Sequence, residues 1–340
     1  MNPRLQRYTQ RDVRLECGAT LPEAVTAYAT RGRPAADGRN AILVTHGYTG
    51  GPDMILEGSV PADGSWAALV GPGRPLDTDR YFIVCANALG SSYGSTNAAS
   101  IDPATGKPYG SAFPDITVGD IVAAQHALLD HLGVKHLVAV AGASFGGLQV
   151  LEWGIRHPSS MSRLVAAITA PRMPGTSPDG IKMQLQAMEG WNGGDYYDHA
   201  PALVETMAAR RFDGLRLFGA EESLLEHFPD PAQRHAHMRT LAHAWAEHFD
   251  PNSLLILMKA MAAYDATPRL ASIRAPLLYV LSRSDRLVPA ASAPETMRAF
   301  EGAGIAARYV ELDSTHGHTA SGSEARLWEG ELRAFLEHQE

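Results

Sequence analysis

The stretch Leu137-Val138-Ala139-Val140-Ala141-Gly142-Ala143-Ser144-Phe145-Gly146-Gly147-Leu148-Gln149-Val150-Leu151-Glu152-Trp153 changes character at its centre. Its first residues form an apolar run of strand length, and from Leu148 onward the pattern is helical. Between the two, Gly142 and Gly146 flank Ser144. Strand, tight turn and helix in that order hold a serine in a strained conformation with its hydroxyl exposed above a sheet. Glycine is required on either side because neighbouring chains pass too close for a side chain. A helix that begins at the serine also turns its positive end toward the reacting oxygen. The segment lacks the Lys-Ser/Thr of a nucleotide loop and the spacing of a dinucleotide fingerprint. Ser144 is therefore a candidate nucleophile.

Working outward, residues 41–45, 81–86, 137–141, 164–168 and 276–281 are short runs that are apolar almost throughout. That pattern fits parallel strands covered on both faces. Residues 308–312 read as a further, more exposed strand. Residues 117–132 form the clearest helix, with Thr117 and Asp120 spaced as a capping box and Gly133 as its stop. One face carries Ile121, Leu128, Leu129 and Leu132, with Gln125 its only polar member. Leu327, Trp328, Leu332, Phe335 and Leu336 give a closing amphipathic helix. The fold class is α/β: a mostly parallel sheet flanked by helices. The strand–helix rhythm breaks between residues 172 and 265, where only helical patterns occur, such as 220–228 and 236–249. Residues 172–265 are read as an inserted helical cap, and residues 1–171 and 266–340 as the core.

Composition narrows the function. The chain has 340 residues, 45% hydrophobic and 19% charged, with a formal net charge of −8. An acidic balance argues against nucleic acid as partner. The N-terminus has no apolar stretch after its basic residues, and no run approaches a membrane span. A cytoplasmic protein without membrane attachment is expected. Cys17 and Cys85 are read as reduced thiols. His235, His237, His243 and His248 lack the spacing of a zinc motif, so no metal is expected.

A serine hydroxyl needs a base, and the base needs an orienting acid. With the elbow at Ser144, both belong downstream, in the order serine, acid, histidine. Asp285 lies in the loop after the late strand 276–281, with Asp313 as the rival acid. Two histidines, His316 and His318, follow the last strand, and His318 comes after the flexible Gly317. An oxyanion hole requires two backbone N–H groups. Phe145, directly after the nucleophile, supplies one candidate. Tyr48, in the loop His46-Gly47-Tyr48-Thr49-Gly50-Gly51, supplies the other.

Several longer strings carry a resemblance. They are Asn87-Ala88-Leu89-Gly90, Tyr93-Gly94-Ser95-Thr96, and Ile101-Asp102-Pro103-Ala104-Thr105-Gly106-Lys107-Pro108-Tyr109-Gly110 with Phe113-Pro114. To these are added Ser144 to Trp153, Trp191-Asn192-Gly193-Gly194-Asp195-Tyr196-Tyr197 and Phe249-Asp250-Pro251-Asn252-Ser253. From about residue 40 to the C-terminus the chain resembles the homoserine O-acetyltransferase family of α/β-hydrolase enzymes. The resemblance implies acyl transfer from coenzyme A through an acyl-serine to a small hydroxyl compound. It implies Ser144, Asp285 and His318 as the triad, homodimers formed through the cap, and no bound metal or cofactor beyond acyl-CoA as co-substrate. It also points to Lys182, Tyr196 and Thr319 as acceptor contacts.

Two departures from the family pattern bear on the substrate. The family places an aspartate after the histidine to receive the amino group of homoserine; this chain has Thr319. The family also holds the substrate carboxylate with an arginine assigned to the first cap helix; the matching residues 181–186 offer only Lys182. Leaving one partner of a buried charge pair without its mate costs on the order of 3–5 kcal/mol. Homoserine is therefore disfavoured. Transfer to a less charged hydroxyl acceptor and hydrolysis of a carboxylic ester or thioester both remain open. A non-enzymatic binding role is the third reading, and the intact serine, aspartate and histidine order opposes it.

Overall fold

The computed structural model describes residues 5–60, 64–198 and 203–338. Among these, one eight-stranded sheet organises the chain. Its strands are β1 (Gln6–Arg14), β2 (Thr20–Arg31), β3 (Ala41–Thr45), β4 (Phe82–Ala86), β5 (Leu137–Ala143), β6 (Leu164–Ala167), β7 (Leu277–Ser282) and β8 (Ala307–Leu312). They lie side by side in the order β1-β2-β4-β3-β5-β6-β7-β8. From β4 to β8 every pairing is parallel; β1 and β2 are antiparallel additions at one edge.

Side-chain alternation sends each central strand into two separate cores. Leu43 joins the core beneath α1 (Val118–His131) and α2 (Phe145–Arg156), while Ile42 and Val44 face the opposite layer with Trp66, Trp328 and Leu332. Coverage on both faces explains why these strands read as unbroken apolar runs. The hairpin β1–β2 was not anticipated from sequence. Most of β1 is exposed, so it has no apolar stripe to betray it.

Helix α1 begins at the expected cap. The Asp120 N–H donates to Thr117 Oγ1 at 3.0 Å, and the Thr117 N–H donates to the Asp120 carboxylate at 2.9 Å. Between β6 and β7 the described residues contain helices and no strand: α3 (Pro178–Gln186), α4 (Val204–Leu217), α5 (Pro231–Ala246) and α6 (Pro251–Ala263). The expected helix over 220–228 is only a single turn, Ala220–Ser223. The one over 236–249 starts earlier, at Pro231 after an Asp230 cap. Two core helices complete the chain, α7 (Ala293–Gly302) and α8 (Glu329–Glu337). No described helix is long and apolar enough to cross a membrane.

Candidate active site

Ser144 stands at the junction of β5 and α2 with φ 57° and ψ −122°. This left-handed conformation is costly for a residue with a side chain, and the surroundings enforce it. A Cβ on Gly146 would overlap the carbonyl of Thr45, and one on Gly142 would overlap the Thr45 hydroxyl. The end of β3 thus passes directly beneath the turn. The Ser144 N–H donates to the Ala167 carbonyl at 2.9 Å, and Thr169 Oγ1 donates to the Ser144 carbonyl at 2.9 Å. The backbone of the serine is pinned while its hydroxyl faces the cleft.

The loops after β7 and β8 bring two partners to that hydroxyl. His318 Nε2 lies 2.7 Å from Ser144 Oγ, and His318 Nδ1 lies 2.7 Å from Asp285 Oδ2. Asp285 is buried, and its other oxygen accepts the N–H groups of Leu287 at 2.8 Å and Val288 at 3.2 Å. A carboxylate held this way accepts the Nδ1 proton and leaves the Nε2 lone pair for the serine. The rivals are engaged elsewhere. Exposed Asp313 pairs with Arg283 at 2.7 Å, and His316 Nδ1 bonds Ser323 Oγ at 3.0 Å.

Above the serine, neither the Phe145 N–H nor the Tyr48 N–H has an acceptor among the described residues. A Cβ on Gly47 would sit 3.9 Å from Ser144 Cβ, so the loop carrying Tyr48 lies against Ser144. Donors without internal acceptors beside a nucleophile form a site for developing negative charge.

Known proteins place this geometry in a family. A family model described as the alpha/beta hydrolase fold matches residues 40–324. The homoserine O-acetyltransferase of Moorella thermoacetica is 40% identical, over 90% of this chain and 88% of that protein. The chain belongs to the homoserine O-acetyltransferase-like family of α/β-hydrolase-fold proteins. Among solved structures, esterase E22 superposes with a TM-score of 0.84 at 24% identity, covering 98% of this chain and 99% of its own. The homoserine O-acetyltransferase of Bacillus anthracis superposes with a TM-score of 0.83 at 22% identity, covering 98% of each chain. At such identity the two structures speak for the shared fold.

Within this family fold, the cap grips the loop that carries Tyr48. The Tyr48 hydroxyl donates to the Leu254 carbonyl of α6 at 2.5 Å, and Trp245 Nε1 of α5 donates to the Thr49 carbonyl at 3.1 Å. Arg211 of α4 donates to Thr49 Oγ1 at 2.8 Å and lies over the Trp245 and Phe218 rings at 5.1 and 6.0 Å. Burial pushes the Tyr48 phenol above its usual range, opposed by the charge of Arg210. Arg210 is half-buried and its own pKa is lowered by that burial; no ion pair links it to another described residue.

Two expected acceptor contacts need correction. Lys182 is exposed: the helical repeat that buries Ile181 and Leu185 of α3 turns it outward. The cations beside the loop that carries Tyr48 come from α4 instead: Arg210 interacts with Tyr48 and Arg211 with Thr49. Tyr196 is buried, but its hydroxyl donates to Asp250 and accepts the Asn252 N–H at 3.0 Å. Asn252 in turn accepts from Trp191 Nε1 at 3.3 Å and donates to the Gly194 carbonyl at 2.9 Å. The two cap strings of the sequence resemblance are thus each other's hydrogen-bond partners, and the Tyr196 hydroxyl proton is committed to Asp250. Thr319 does sit beside His318, yet its hydroxyl donates to the His316 carbonyl at 2.8 Å. It provides no charge for an ammonium group.

The discounted cap histidines have local partners. His235 meets Glu221 at 2.9 Å, His243 meets Glu205 at 3.2 Å, and His237 stacks on Phe228. Among the described residues no group of three His, Cys, Asp or Glu side chains could hold a metal ion.

Proposed function

We propose that this chain moves an acyl group from an acyl-CoA-type thioester, through an acyl-enzyme on Ser144, to a small hydroxyl acceptor. The observation that carries the proposal is the unbroken hydrogen-bond run from Asp285 through His318 to Ser144 beneath two unpaired N–H groups. His318 Nε2 takes the serine proton as Oγ attacks the thioester carbonyl carbon. The carbonyl oxygen becomes an oxyanion facing the N–H groups of Tyr48 and Phe145. Collapse breaks the carbon–sulfur bond, and the imidazolium proton leaves with the thiol. The acceptor hydroxyl then gives its proton to His318 and attacks the acyl-serine; collapse returns Ser144 and releases the new ester.

Charge at the site selects the acceptor class. Arg210, half-buried without a described ion-pair partner, suits a carboxylate. Thr319 leaves no acid beside the base for an amine. A hydroxy acid lacking an α-amine, or an uncharged alcohol, fits this balance better than homoserine. Ester or thioester hydrolysis is the second reading, favoured by that same neutral Thr319 and by the fold shared with esterase E22. The proposal extends to a cytoplasmic homodimer formed through the cap, working without a metal.

Incubation with acetyl-CoA, with and without a panel of hydroxyl compounds, tests the reading. Thiol release is expected to accelerate with an acceptor, which is recovered as its ester. Thiol release indifferent to every acceptor would overturn transfer in favour of hydrolysis. Ser144→Ala is expected to abolish the acetyl mass increment on the intact protein, and persistence of that increment would overturn both readings.

A further inference from the structure

We propose that His46 is a positioning residue that aims the Tyr48 N–H at the nucleophile and strengthens it as an oxyanion donor. The imidazole of His46 is buried, with a backbone partner at each ring nitrogen and the Asn87 side chain also facing it. The Ala88 N–H, which can only donate, points to Nε2 at 2.9 Å. Nε2 must therefore be an acceptor, and the proton resides on Nδ1. Nδ1–H then donates to the Gly47 carbonyl at 2.8 Å. That carbonyl also accepts the Gly50 N–H at 3.2 Å.

The Gly47 carbonyl and the Tyr48 N–H belong to one peptide unit. The described chain has no cis peptide bonds, so the two groups point in opposite directions. Holding the oxygen inward on His46 fixes the N–H outward, on the side where Gly47 approaches Ser144. A donor on the carbonyl oxygen also polarises the peptide and makes its N–H a better donor. Charging His46 would place two N–H groups face to face at Ala88. Burial agrees with the neutral ring: it lowers the pKa to about 4 against the opposing pull of the Gly47 carbonyl and the Asn87 side chain.

A second buried side chain braces the residue that carries the other donor. Gln149 Nε2 lies 3.3 Å from the His46 carbonyl and 3.4 Å from the Phe145 carbonyl, and so straps the start of α2 to the end of β3. Its Oε1 accepts from Gln125 Nε2 at 2.6 Å, and Gln125 Oε1 accepts from Trp153 Nε1 at 2.8 Å. The lone polar residue on the apolar face of α1 thus supports the oxyanion site two side chains away.

This inference rests on acyl-enzyme formation at Ser144, and two variants test it separately from that reading. The amide nitrogen of His46→Asn can replace Nδ1 toward Gly47 while the Ala88 bond is lost. The amide oxygen of His46→Gln can replace Nε2 toward Ala88 while the donor to Gly47 is lost. Pre-steady-state acylation by a chromogenic acetate ester, normalised to sites labelled by a fluorophosphonate, reads the chemical step. His46→Gln is expected to acylate at least tenfold more slowly than His46→Asn, with KM within twofold and with matching weakening of a trifluoromethyl ketone inhibitor. Equal acylation rates in the two variants, or an effect confined to KM, would overturn the inference. Should neither variant fold, 15N shifts of the wild-type imidazole decide: a protonated Nδ1 and a bare Nε2 are expected, and the opposite tautomer would overturn it. Failure of the wild-type protein to acylate at all would instead sink the underlying reading.

Discussion

The N–H of Thr319 donates to the carbonyl of Phe218 at 3.1 Å, which ties the loop carrying His318 to the end of cap helix α4. Two left-handed glycines make this approach possible. A Cβ on Gly219 would overlap the His316 carbonyl, and one on Gly317 would sit 3.0 Å from the Phe218 carbonyl. The Phe218 ring also leans on His318 with centroids 5.9 Å apart. His318 is therefore positioned by the cap as well as by the core. Gly219→Ala should displace the His318 loop, because backbone has no rotamer with which to give way. Misplacing a catalytic group by about 1 Å costs roughly 100-fold. A fall of that order in the acylation rate is expected; an unchanged rate in a folded variant would refute the coupling.

Asp285→Asn keeps the size of the acid but removes the charge that selects the Nδ1–H tautomer of His318. The acylation rate is expected to fall by about 10⁴-fold, as loss of the orienting acid does in serine triads. Asp313→Asn is the control, since Asp313 is exposed and paired with Arg283. It should change the rate by less than twofold. If the Asp313 variant were the slower of the two, the acid would have been misassigned.

Sequence reading pointed to Ser144 and Asp285 because each follows a strand that is buried on both faces and so carries an apolar run; His318 follows the partly exposed β8, and chain order and the family resemblance singled it out. It did not reach β1, whose side chains are mostly exposed on both faces. Nor did it show how Lys182 and Tyr196 are placed, for a physical reason. Lys182, Arg210 and Arg211 lie in helices α3 and α4 and Tyr196 in the segment between them, and periodicity says which face of a helix is buried but not what it is buried against. Tyr196 was legible as part of a string, whereas its hydroxyl is consumed by Asp250 and Asn252, distant in sequence. His46 and Gln149 left weaker traces. A histidine ending a strand and a glutamine within an apolar helix are each unremarkable alone, and only their shared contact with the loop before Tyr48 gives them meaning.

Thr319→Asp tests the charge argument for the acceptor. A carboxylate there would sit next to His318 and offer an ammonium group a charge-assisted hydrogen bond, worth about 1.5–3 kcal/mol. That corresponds to roughly a tenfold to hundredfold gain in kcat/KM for homoserine relative to an acceptor without an amine. Competition between the two acceptors, read by mass spectrometry of the ester products, measures the ratio directly. A ratio that does not move would mean that the acceptor's amine lies away from residue 319.

The buried neutral His46 also imposes a pH dependence on stability, and its sign follows from the lowered pKa. In the unfolded chain His46 takes a proton near its ordinary value of 6.5, whereas the folded chain resists until about 4. Between those limits the unfolded state holds the extra proton, so stability declines as pH falls. The full window is worth about 3 kcal/mol from this residue. Half-buried His157, also lowered to about 4 by burial and by His126, adds a smaller, solvent-screened contribution of the same sign. Urea unfolding at pH 6.5 and pH 4 should therefore show the wild type losing about 3 kcal/mol more than His46→Gln, whose side chain does not titrate. His157 and the carboxylates contribute equally to both proteins and cancel in the difference. Parallel losses would mean that His46 charges as readily in the folded chain as in the unfolded one, and the neutral tautomer that holds the Gly47 carbonyl would fall with that result.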